Sequence, residues 1–186
     1  MNQILLGFST TATAVFGIWM KLQNFCNMPI FGMNNGTVPI LSFNYGAGKK
    51  ERVQQTIHIA SRAAVIMMLV LVCILELIPV QLLNIFSASG NMLEIGTIAL
   101  RLCIASLPFC AYTLIASSAF QALNHARYTM LISILRQVVL VLPLAWIFSL
   151  SGNLSMVWLS IPVTEIIGLG VSFFMRKKLF KELGLH

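Results

Sequence analysis

The chain has 186 residues, of which 58% are hydrophobic and only 9% charged. A soluble domain carries about 25% charged residues, so this composition cannot clothe a water-facing surface and excludes an ordinary soluble domain. The net charge of +7 comes from twelve Lys/Arg against five acidic residues. It gathers between apolar runs, where it orients membrane segments and meets anionic lipid, and nucleic acid is not an expected partner.

At 1.5 Å rise per residue, roughly 20 apolar residues cross a bilayer core of about 30 Å. That measure predicts an all-α, polytopic bundle of about five spans, near residues 8–44, 56–83, 93–123, 128–150 and 154–175, within a single transmembrane domain over 1–186. The first span is unusually long, and Pro29, Gly32, Gly36 and Pro39 are expected to break it. Lys21, Gln23, Asn24 and Asn27 form a polar patch on it, with Asn34, Asn35 and Thr37 around the breaks. Gln23 and Asn27 share a face by i, i+4 spacing, and Asn24 joins Asn27 by i, i+3. These amides either line a cavity wall or hydrogen-bond between helices. Lys21 is a candidate partner for an acid on a helix outside this chain.

The second span holds the clearest apolar run, Ala63 to Leu83, interrupted by Glu76 and Gln81. Arg101 lies in the third. Glu76 and Arg101 each fall about eight residues from the outer ends of adjacent helices, so they match in depth. Arg136 in the fourth span and Glu165 in the fifth both come out roughly 12–15 Å above the other face and are expected to meet. Charges inside a bilayer are costly, so each is a functional candidate. Two readings stand for both pairs: a lock between helices, or a part in ion coupling or gating. If Glu165 faces the cavity and not Arg136, it becomes a candidate proton site.

The connections alternate. Gly46 to Arg52 and Asn124 to Arg127 are basic, whereas Asn84 to Asn91 and Ser151 to Asn153 carry no Lys or Arg. The tail over 176–186 opens with Arg176-Lys177-Lys178 and is the most basic segment. The pattern predicts an N-terminus outside and a C-terminus in the cytoplasm, in a cell (plasma or inner) membrane. All six prolines are placed inside spans. The four cysteines sit in apolar stretches as free thiols.

Chemical motifs fail. Gly46-Ala47-Gly48-Lys49-Lys50 lacks the earlier glycine, the Ser/Thr and the strand of a phosphate loop. His58, His125 and His186 have no metal-ligand spacing, and no Ser/His/Asp or Cys/His set presents itself. No catalytic residue, metal site or enzyme activity is expected. Asn153-Leu154-Ser155 matches the glycosylation pattern.

The stretch from Met28-Pro29-Ile30-Phe31-Gly32 to Asn44-Tyr45-Gly46-Ala47-Gly48 resembles one common in bacterial multidrug-and-toxin extrusion (MATE) transporters. Leu135-Arg136-Gln137 followed by Pro143-Leu144 resembles the family's eleventh helix, and Val157 to Glu165 resembles its twelfth. The resemblance implies helices eight to twelve of a twelve-helix protein built from two lobes. The N-terminal lobe and the seventh helix would then lie outside this chain, as a missing lobe or a second chain. The implied function is antiport of drugs or small organic cations against Na⁺ or H⁺, with membrane lipid as a further partner and no cofactor. The other readings left open are a lipid-linked oligosaccharide flippase of the same superfamily and a non-transporting membrane subunit.

Overall fold

The computed structural model describes residues 1–88 and 90–184, so His186 and the end of the basic tail lie outside the described residues. The order is α1 (Asn2–Leu6), α2 (Thr10–Gly46), α3 (Lys50–Leu77), α4 (Pro79–Ile85), α5 (Gly90–Ile104), α6 (Leu107–Ala122), α7 (Ala126–Ile134), α8 (Val141–Ser149) and α9 (Leu154–Glu182). A π-helical turn, Leu135–Leu140, joins α7 and α8 into one rod. No strand occurs among the described residues.

Local chemistry sets the helix ends. Ser9 caps α2, its Oγ accepting the Ala12 amide at 3.0 Å. At the other end Gly48 takes φ +70, and the Lys49 amide reaches back to the Asn44 carbonyl at 2.9 Å. That left-handed position suits glycine and turns the chain into α3. Asn153 caps α9, its Oδ1 accepting the Ser155 amide at 2.9 Å.

Several expected boundaries are corrected. Pro29, Gly32, Gly36 and Pro39 do not break the first span: all four lie inside the unbroken 37-residue α2. An interior proline removes one N–H from the ladder and crowds the carbonyl four residues back, which can bend a helix without ending it. Around these positions Thr37 Oγ1 donates to the Met33 carbonyl and Asn44 Nδ2 to the Ile40 carbonyl, each at 2.8 Å. The breaks fall instead at Ile78, just before Pro79, and at Ala105–Ser106, just before Pro108. Pro79 and Pro108 therefore start helices, where a missing N–H costs nothing. The arms α5 and α6 meet at 43°. The last helix continues past residue 175 to Glu182, because Lys and Arg are good helix formers and Leu179 is buried.

Three helices are long and apolar enough to cross a membrane: Lys50–Leu77, Ala126–Ser149 and Leu154–Glu182. Taken as one span, the bent pair α5–α6 would make a fourth. The 37-residue α2 has ample length, but Lys21 and its amides dilute its apolar character, and it does not join that set.

Two apolar clusters hold the bundle. The larger centres on Trp19, Leu100, Cys103 and Trp158, with Phe16 and Trp158 ring centroids 6.3 Å apart. The smaller joins Leu41, Ile57, Phe120, Tyr128 and Leu179. At this second end the Tyr128 hydroxyl meets the Glu182 carboxylate at 3.2 Å, and Ser42 Oγ donates to the Ala122 carbonyl at 3.3 Å. These contacts gather the ends of α2, α6 and α9 with the starts of α3 and α7. The basic turns and the tail therefore lie at one end of the bundle.

Candidate functional site

Arg136 belongs to the π-helical turn, and Pro143 follows that turn on α8. Pro143 has no N–H for the carbonyl of Val139, the last residue but one of the π segment, and a widened turn is one way a helix accommodates such a misfit. On α9, Thr164 and Glu165 are buried on the face turned to this rod.

Arg136 Nη2 and Glu165 Oε1 form a close ion pair, with side chains only 15% and 8% exposed. Arg136 Nη2 also points at Cys110 Sγ on α6, 3.6 Å away. The pairing uses one nitrogen and one oxygen. Arg136 Nε and Glu165 Oε2 are buried without a hydrogen-bond partner among the described residues. Gly168, one turn beyond Glu165, makes room for the arginine: a Cβ there would stand 2.9 Å from Arg136 Cδ.

A cavity of about 250 Å³ opens against this pair. Gln23, Trp19 and Phe16 of α2 line one side, Gln137 the rod, and Thr164 with Glu165 the α9 side. The wall thus offers a carboxylate, a guanidinium, two amides and aromatic faces in a mostly apolar setting. Such a wall can take a cation through its carboxylate and rings, or an anion through its guanidinium.

The polar patch of α2 does not form a single wall. Gln23 lines the cavity and Asn27 is buried, whereas Lys21, Asn24 and Asn35 are exposed. At 100° per residue Gln23, Asn27, Asn34 and Thr37 fall on one inward stripe. Asn27 lies beside Cys110, and the Oδ1 atoms of Asn27 and Asn34 are buried without partners. Lys21 sits over the Phe86 ring, 5.7 Å from its centroid.

Glu76 and Arg101 approach to 3.9 Å, but the arginine side chain is 60% exposed. The pair is long and half open, unlike the buried contact of Arg136 with Glu165. It stands apart from the cavity. Four participants were not singled out from sequence: Cys110, Thr164, Gly168 and the π turn. Glycine three residues after Glu165 and proline seven after Arg136 were the available signals. Among the described residues no group of His, Cys, Asp or Glu could hold a metal ion.

Comparison with known proteins agrees with this architecture. The MatE family model matches residues 1–147. The multidrug export protein MepA of Staphylococcus saprophyticus is 27% identical over 167 residues, covering 90% of this chain and 37% of that protein. The FAD transporter of Shewanella oneidensis is 25% identical over 162 residues, covering 84% and 35%. The chain thus spans a little over a third of the length of these relatives. An outward-facing structure of a multidrug resistance MATE family transporter superposes with a TM-score of 0.92 at 22% identity, covering 100% of this chain and 42% of that one. An inward-facing structure gives 0.92 at 21%, covering 98% and 43%. At such identity the likeness speaks for the fold, and the family match over most of the sequence supplies the rest: the chain belongs to the MatE family.

Proposed function

We propose that this chain supplies most of one lobe of a secondary active transporter that exports drugs or organic cations in exchange for Na⁺ or H⁺. The buried Arg136–Glu165 pair at the cavity wall carries the reading. An ionised pair in an apolar bundle is expensive to keep, and here both partners line the cavity. An organic cation has the Glu165 carboxylate and the rings of Trp19 and Phe16 to meet along this wall. The unpartnered oxygens of Asn27 and Asn34 extend the polar stripe along α2. The family setting and the similarity to MepA support export as the direction.

In this reading α2 is the fifth span, and the basic end lies in the cytoplasm, beneath a plasma or inner membrane. The second lobe comes from chain outside the present sequence or from another polypeptide. The test is uptake of ethidium into proteoliposomes holding this chain with an N-terminal MATE lobe, under an imposed Na⁺ or proton gradient. Gradient-driven uptake that neither part gives alone is expected. Uptake indifferent to both gradients would contradict the reading.

A second reading, export of an organic anion, is favoured by Arg136 in the same wall and by the similarity to the FAD transporter. Uptake of a flavin nucleotide in preference to ethidium would select it.

A further inference from the structure

Far from the cavity, two adjoining hollows of about 390 and 310 Å³ share His58 and Arg176. One continues to Lys177 and Lys181, the other to Ser61, Arg62 and Tyr112. No acidic residue lines either hollow. The ion pairs among the described residues are Arg101–Glu76 and Arg136–Glu165, so neither Arg62 nor Arg176 has a carboxylate there.

Arg176 is held by stacking. Its guanidinium carbon lies 5.5 Å from the Tyr112 and Phe173 ring centroids and 5.6 Å from that of Phe180. Stacking uses the face of a guanidinium and leaves its N–H edge for an anion. The hydroxyls of Ser61 and Tyr112 are buried without partners, and both residues line the hollow. Two guanidinium groups and two unpaired hydroxyls suit the oxygens of one phosphate.

The level of the site points to the kind of phosphate. Arg62 is the last charged residue before the apolar run that starts at Ala63 on α3, and Arg176 is the first after the one that ends at Met175 on α9. The ends of apolar runs are where headgroups are expected, and a long arginine side chain can reach that level. Beside the two arginines Ile66 and Phe173 are 61% and 53% exposed, an apolar flank for an acyl chain. We propose that the pocket formed by Arg62, Tyr112, Ser61 and Arg176 binds the phosphate of an anionic phospholipid, in the leaflet on the side of the basic tail. Pockets that are basic, sit between spanning helices and open at the membrane surface are suited to such headgroups.

Native mass spectrometry of the full chain in detergent, titrated with phosphatidylglycerol, phosphatidylcholine or inorganic phosphate, tests this. One phosphatidylglycerol is expected to be retained, with phosphatidylcholine held far more weakly. Arg62→Gln with Arg176→Gln weakens retention at least about tenfold, the loss of charge-assisted bonds. Tyr112→Phe, which keeps the shape, weakens it by about threefold. Lys49→Gln with Lys50→Gln, removing equal charge at the same end, leaves it unchanged. Wild-type retention by the arginine double variant, or an equal loss in the lysine control, overturns the proposal. Displacement of the lipid by equimolar inorganic phosphate overturns it in favour of a free-anion site.

Discussion

Arg136 and Glu165 share one apolar neighbourhood, and each is the main compensation for the other's lost hydration. Removing either alone strands a charge. Arg136→Gln or Glu165→Gln is therefore expected to destabilise the chain by about 3–5 kcal/mol, and the double variant to recover part of that loss. Unfolding midpoints in detergent, compared as a double-mutant cycle, measure the coupling; additive losses would deny it. Gly168→Ala drives a methyl into the arginine stem, at an expected loss of about 1–3 kcal/mol. In an Arg136→Ala background the same change becomes nearly silent. Counting residues from the helix ends put Arg136 and Glu165 at one depth, and the structure brings them into contact. Cys110 and Gly168 escaped that count because depth says nothing of rotation. Which face of the rod Arg136 occupies depends on the π turn in which it sits, and residue counting assumes a regular helix.

The elements teach what proline can and cannot be made to say. Pro29 and Pro39 lie inside an unbroken helix, whereas Pro79 and Pro108 open new ones after an irregular residue. Composition alone does not separate the two cases. Side-chain bonds to backbone carbonyls do not separate them either, since Thr37 and Asn44 make them inside α2 and Ser106 makes one at a break. Pro39 is exposed, so Pro39→Ala restores a donor without burying anything. A raised unfolding midpoint is expected; a lowered one would show that the proline shapes the packed helix. The polar patch on α2 was visible in sequence as spacing, but its division into an inward stripe and an exposed face depends on which neighbours the helix meets.

For the whole molecule, alternating basic and neutral connections translate into a bundle with its basic turns at one end, a relation legible in sequence because charge seldom crosses a bilayer. The family resemblance is borne out by the MatE match over residues 1–147, which takes in Met28 to Gly48 and the Arg136 segment; the Glu165 segment lies beyond it. Cysteines introduced at Lys49, Arg127 and Lys178, in a background free of native cysteine, are expected to react with a membrane-impermeant maleimide in inverted vesicles only, and one at Gly152 in right-side-out vesicles only. Labelling of Lys49→Cys and Lys178→Cys from opposite sides would undo the arrangement.

The most direct test compares two carboxylates in the assembled transporter, Glu165 at the cavity and Glu76 at the open pair with Arg101. Gradient-driven ethidium uptake is expected to fall by at least about tenfold in Glu165→Gln, a barrier change near 1.4 kcal/mol or more, and to stay within about twofold of wild type in Glu76→Gln. Full uptake by a folded Glu165→Gln protein, or an equal loss in both, would contradict a working role for the buried pair.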